Sequence, residues 1–352
     1  IKHVERGNIR KGDVYVFPGT EIACLLHEYG SGMRIALERR GISGVDVFTP
    51  GGAAQLDVFG IPATIRLGRG LLLCDLMAKL KCQVRPYAKD PQKVDELFEA
   101  AYREVAVTLA EERVGDAARQ LTRELEKIAL VEQPLKPVVG VAGDIYTRIH
   151  PFGNRGLFNK LEAMGLEVWP APFLTDIVDF GFGREISGGV DEGRYMEAAG
   201  AALLKMRKEM EAYRVRYLLG RKIGRAEEPG YQQVLDLAAP YVDKSANELV
   251  ILNVAKMVDY ARGGAHGIIN AISFHCMLGT VSASLAENVR RDHDMIPLTT
   301  IVYTGKESTE VNTKLEAFAH QVKEYAAKPK PPPPPSGART WFANLWDSKA
   351  AL

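Results

Sequence analysis

The sequence predicts an α/β protein with mostly parallel, doubly wound sheets, and three observations carry that prediction. Short apolar runs alternate with helix-periodic stretches in the second half of the chain, at Val138-Val-Gly-Val-Ala142, Gly267–Ile272 and Leu298–Tyr303. A strand–loop–helix unit opens the chain. Between them lies a charged, helix-periodic segment. The expected organisation is two flavodoxin- or Rossmann-like parallel-sheet domains joined by a helical arm. The first domain covers residues 1–89, the arm 90–135, the second domain 136–327 and a tail 328–352. The chain starts at Ile1 without Met, which leaves room for a missing N-terminal part of the first domain.

The elements follow in order. Asp13-Val-Tyr-Val-Phe17 alternates β-formers and is broken by Pro18-Gly19; Met33 to Arg40 is helical and ends at Gly41. Asp90-Pro91 supplies an N-cap and an N1 proline. Val94, Leu97, Phe98, Ala101 and Val105 then recur at helical spacing, giving one or two helices to about Glu132. Val138–Ala142 reads as a buried parallel strand. A loop over Gly143–Gly156, a helix to Met164, Gly165 at its C′ position and a strand Leu166–Trp169 complete a βαβ unit. A further helix from about Glu248 stops at Gly263-Gly264. Strand Gly267–Ile272, helix Thr280–Arg291 and strand Leu298–Tyr303 follow. The last helix starts near Ser308, with Val311, Leu315, Phe318, Val322 and Tyr325 on its packing face. After Lys328 comes the polyproline spacer PKPPPPPSG, and then TWFANLW, whose Trp341, Phe342, Leu345 and Trp346 would share one face. That tail reads either as a disordered end or as a tethered docking segment.

Composition narrows the partners. The 352 residues are 46% hydrophobic and 25% charged with a formal net charge of +1, so there is no basic field for nucleic acid or a membrane surface. Small molecules and other proteins are the expected partners. The longest apolar run, around Leu71–Ala78, contains Asp75 and falls well short of the roughly 20 residues that a membrane span needs. No secretory leader precedes the first strand, which points to the cytoplasm. Cys24, Cys74, Cys82 and Cys276 show no CxxC spacing, so a shared site must be assembled by the fold.

Cys24 and Cys276 both lie in loops after predicted strands, where open α/β sheets bind ligands. Each precedes a helix, whose N-terminus favours a thiolate. Three readings stay open for Cys276: a core residue, a nucleophile or a metal ligand. Cys74, in LLLCDLMAKL, and Cys82 read as packing residues. Asp144, Tyr146, Arg148 and Asn154 form a polar cluster in the loop after Val138–Ala142. It either takes an anion or a partner, or serves locally, with Asp144 capping a turn and Arg148 paired to it. GFGREISGG, from Gly181, matches neither a Walker A loop nor G-x-G-x-x-G after a strand, and a phosphate loop is rejected there.

Five stretches resemble, in order, motifs of the 2-hydroxyacyl-CoA dehydratase component family, with its activase-associated and double-cubane cluster relatives. CLLHEYG, from Cys24, resembles C-R-F-G-Q-Y, and RPY, from Arg85, resembles R-P-Y-E. GDIYTRIHPFGNRGL, from Gly143, is similar to G-E-I-Y-V-R-x-N-P-F-A-N, and GIINAISFHCMLG, from Gly267, to G-I-I-N-x-x-P-F-G-C-M-P-G. TKLEAFAHQ, from Thr313, resembles T-R-L-E-A-F-x-H-Q. The resemblance implies that Cys24 and Cys276 are ligands of an iron–sulfur cluster, of 4Fe–4S or double-cubane type. The family's earlier cysteine has no counterpart here. Either a preceding segment or a partner chain supplies it, or this copy has lost its cluster. His275 stands where the family has Gly, Leu278 and Ser273 where it has Pro, and Asp144 where it has Glu. His275 is a candidate replacement ligand, and His27 beside Cys24 has the same standing.

The chemistry so implied is low-potential electron transfer in an anaerobic cytoplasm. An ATP-hydrolysing activator with its own cluster would reduce this component, which would act on an acyl-CoA or other small substrate within a homo- or hetero-oligomer. The competing expectations are a cluster-poor scaffold subunit that docks through its tail and a cluster-free small-molecule binder.

Overall fold

The computed structural model describes residues 12–16, 28–49, 52–110, 113–173, 175–219, 224–225, 227–304 and 309–328. Cys24, His27 and the proline- and tryptophan-containing tail lie outside the described residues. The chain forms two compact units, Ile1–Arg66 and Leu67–Leu352.

In the smaller unit, β1 (Val14–Val16) and β2 (Asp46–Phe48) pair in parallel, with Tyr15 opposite Val47. The connection between them carries α1 (Tyr29–Glu38), and Arg34 donates to the Val47 carbonyl at 2.6 Å. The next helix, α2 (Gly52–Val84), is interrupted at Gly60, which takes φ 71 and ψ 162, and Pro62 follows the break. From Leu67 onward α2 belongs to the larger unit.

The larger unit is built on a four-stranded parallel sheet in the order β4-β3-β5-β6. The strands are β3 (Val138–Gly143), β4 (Glu167–Pro170), β5 (Gly267–Ser273) and β6 (Leu298–Tyr303). Alternation sends Val139, Val141, Ile269, Ala271 and Ile301 to one face. There they bury Leu157 and Leu161 of α5 (Leu157–Ala163) and Leu315, Phe318 and Val322 of α11 (Thr309–Ala327). The other face meets α9 (Glu248–Arg262) and α10 (Met277–Asp292). At Gly140 a Cβ would lie 2.3 Å from the Tyr260 ring of α9, so this strand position has room for glycine alone.

A helical layer completes the unit. Asp90 accepts from the Gln92 and Lys93 amides and starts α3 (Pro91–Ala110), and α4 (Val114–Leu125) follows. They share a core with the second stretch of α2 through Leu73, Met77, Leu80, Phe98, Val105 and Leu121. Three helices fall between β4 and α9, where the sequence carried no assigned element: α6 (Thr175–Asp191), α7 (Tyr195–Leu218) and α8 (Tyr231–Ala238). GFGREISGG lies inside α6. Among the described residues no helix is long and apolar enough to cross a membrane.

Candidate functional site

Numbered from β3, the sheet order is 2-1-3-4, and the direction of winding reverses between β3 and β5. The helix after β3 covers one face and the helix after β5 the other, so the two loops part at the carboxyl edge. That is where doubly wound sheets open a ligand crevice. Both predicted loops of the larger unit are there.

The β3 loop begins with a forced glycine. Gly143 has φ 122, and a Cβ would lie 2.0 Å from the Ala271 carbonyl oxygen of β5. Asp144 then turns the chain. Its Oδ1 accepts from the amides of Tyr146 and Thr147, and its Oδ2 from the Thr147 hydroxyl and, at 3.2 Å, from the Ser273 amide at the end of β5. One carboxylate thus ties the two loops together. Arg148 turns away from Asp144. Buried, it donates to the Pro172 and Phe173 carbonyls and to Asp176, which holds the loop after β4. Asn154 is buried and accepts from the Leu157 amide at the start of α5. Tyr146 stays exposed, stacked on His150 with ring centroids 4.5 Å apart.

Cys276 is the N-cap of α10. Its sulfur accepts from the Gly279 amide at 3.3 Å, and its carbonyl accepts from the Thr280 amide and hydroxyl. Capping lets the helix start at Met277, three residues before the expected Thr280. His275 holds φ 61, a left-handed conformation that favours glycine, and its ring lies 3.8 Å from that of Phe274. Cys82 is buried against the sheet, where burial drives its thiol far above the ordinary range; Cys74 is half-buried and pushed up to about 11 by burial and then by Asp75. Both geometries are those of packing residues.

Among the described residues no group of three or more His, Cys, Asp or Glu side chains is placed to hold a metal ion. Cys276 fits a single ligand position: its sulfur already accepts an amide N–H at a helix N-terminus, as a cluster-bound thiolate does. The other predicted ligand, Cys24, lies outside the described residues.

A second polar centre lies beside the β4 loop, and sequence reasoning missed it. Glu228 bridges the ammonium groups of Lys79 on α2 and Lys256 on α9, which are 2% and 4% exposed. Burial would raise the Glu228 carboxyl, but the two cations outweigh it and hold it at about 2. Lys256 also donates to Asp259 at 3.0 Å, and its ammonium is held in the charged form. Asp75, one turn before Lys79, accepts from the Phe173 and Thr175 amides. Burial raises its carboxyl against those bonds. A cleft of about 470 Å³, counting its open mouth, is lined by Asp75, Lys79, Thr175, Asp179, Lys208 and Glu228. Asp75 and Lys79 within an apolar helical run, and Lys256 within ILNVAKMV, were the signals available in the sequence.

No family model, no curated protein and no solved structure matches this chain.

Proposed function

We propose that this chain is an iron–sulfur component of an ATP-activated, low-potential electron-transfer system of the 2-hydroxyacyl-CoA dehydratase or double-cubane reductase type. The observation that carries the reading is the place of Cys276, a thiol at the N-cap of α10, in the loop that follows β5 at the switch point of a parallel sheet. In this reading Cys24 supplies a second thiolate from the CLLHEYG loop, and a cysteine outside this chain supplies a third. The fold would be two flavodoxin- or Rossmann-like domains joined by the 90–135 arm. The bound cluster would supply one-electron exchange with an ATP-hydrolysing activator in the cytoplasm, toward an acyl-CoA or other small substrate. The chain's own residues have defined tasks. The Gly279 amide and the α10 N-terminus favour the anionic sulfur, Asp144 fixes the β3 loop against β5, and Arg148 fixes the β4 loop.

Iron and acid-labile sulfide, assayed on protein purified without oxygen, test the reading. Cubane-like stoichiometry that disappears in Cys276→Ala is expected. Iron-free protein, or full iron in the variant, refutes it. One observation favours a second reading, a cluster-poor subunit that docks a partner at this edge. Tyr146 and Phe152 of the β3 loop and Phe274 and Met277 of the β5 loop are all exposed, as at surfaces that partners cover. Colourless protein that copurifies with a cluster-bearing subunit would select it.

A further inference from the structure

Helix α7 carries apolar side chains on two opposite faces. Ala198, Ala201, Ala212 and Val215 are buried, and the last two join the core of α2, α3 and α4. On the other side Met196, Leu203, Met206, Met210, Tyr213 and Tyr217 are between 48% and 87% exposed. With the exposed Ala199, these positions run 196, 199, 203, 206, 210, 213 and 217, alternating three and four residues apart. That is the a/d spacing of a coiled-coil seam over three heptads. The buried alanines and valine occupy the c and f positions, away from the seam.

We infer that α7 is a homodimerisation helix, pairing in parallel with α7 of a second copy of this chain. The spacing makes the seam self-complementary, so the same face closes on itself about a two-fold axis. Charge then sets direction. In a parallel pair each g position faces the e′ position five residues on, which puts Glu209 opposite Arg214 of the other copy. An antiparallel pair would instead set the e rows, with Arg207 and Arg214, against each other. Arg214 is exposed and holds Glu211 of its own helix at 3.2 Å, so it lies on the surface from which the partner is reached. Ala199, Gly200 and Ala202 occupy d, e and g at the start of the helix and permit close approach there. Methionines at a and d supply adaptable packing in the middle. The inference does not depend on the iron–sulfur reading, and iron content plays no part in its test.

The test is sedimentation equilibrium of the full chain over roughly 1–100 µM, with far-UV circular dichroism as the folding control. A reversible dimer is expected for the wild type. Met206→Glu combined with Met210→Glu should weaken it by about a hundredfold or more while leaving helicity unchanged. Glu209→Arg and Arg214→Glu should each weaken association roughly three- to tenfold, and the two together should restore it. Met206→Cys should crosslink across the seam on mild oxidation, beyond the wild-type background, because like d positions meet only in the parallel register. A monomeric wild type throughout the range overturns the inference. So does a dimer that survives the paired glutamates in folded protein. A wild type that self-associates only after removal of residues 329–352 overturns it as well, in favour of a seam covered by the chain's own tail.

Discussion

Replacing Glu228 by Gln would keep the shape of the buried centre and remove its negative charge. Lys79 and Lys256, almost fully enclosed, would then share one carboxylate fewer, with Asp259 left on Lys256. The Glu228 carboxyl is held at about 2 instead of its ordinary 4.5, although burial pushes it the other way. At about 1.4 kcal/mol per pH unit, that difference corresponds to roughly 3–4 kcal/mol at neutral pH. The figure agrees with the ~3–5 kcal/mol typical of breaking a buried ion pair from one side. The sign follows from the direction: a carboxyl depressed in the folded state stabilises above its unfolded value. The contribution is therefore present above about pH 4.5 and fades as pH falls toward 2. Urea denaturation followed by circular dichroism, on wild type and Glu228→Gln at pH 7 and at steps below pH 5, measures it. A deficit of about 3–4 kcal/mol at pH 7 that narrows with acid is expected. A deficit under about 1 kcal/mol, or one that ignores pH, would refute the claim that the two lysines depend on this carboxylate.

Arg148→Met should destabilise by about 3 kcal/mol in the same assay, because Asp176, itself buried, loses its cation and two carbonyls lose their donor; wild-type stability would dismiss Arg148 as the clamp of the β4 loop. His275→Gly should raise stability by roughly 0.5–1 kcal/mol, since φ 61 suits glycine, and a loss would mean that the His275 ring contributes more through Phe274 than the backbone strain costs. Gly143→Ala should cost more than about 2 kcal/mol because the new methyl meets the Ala271 carbonyl; an unchanged melting curve would contradict the tight β3–β5 approach. Native protein treated with a thiol reagent near pH 8 should modify Cys276 well before Cys74 or Cys82, whose thiols burial keeps protonated. Peptide mapping after short exposure reads the order, and early labelling of Cys82 would refute its burial.

Much of the sheet could be read from local pattern. Strands buried on both faces give short apolar runs, so Val138–Gly143 and Gly267–Ser273 were expected almost to the residue. Leu298–Tyr303 was expected at both ends. Asp90-Pro91 marked a helix start because its capping chemistry is local. The region between β4 and α9 resisted the same treatment. Its helix α6 is rich in glycine, and α7 is apolar on two opposite faces, so no single polar side reveals the helical period. The candidate site divides likewise. Asp144 as a turn cap follows from its neighbours along the chain, whereas the partner of Arg148 is 28 residues away, at Asp176.

By itself the sequence determined the α/β class, the order of the parallel strands along the chain and the loops that carry Asp144 and Cys276. These depend on periodicity and capping, which act within a few residues. The tertiary structure decided which strands became neighbours, hence that the winding reverses between β3 and β5 and brings those two loops together at one edge of the sheet. It also decided that Lys79, Glu228 and Lys256, separated by tens to more than a hundred residues, meet in one buried ion cluster. A buried charge persists only beside its counter-charge, and that pairing is made by packing across the fold.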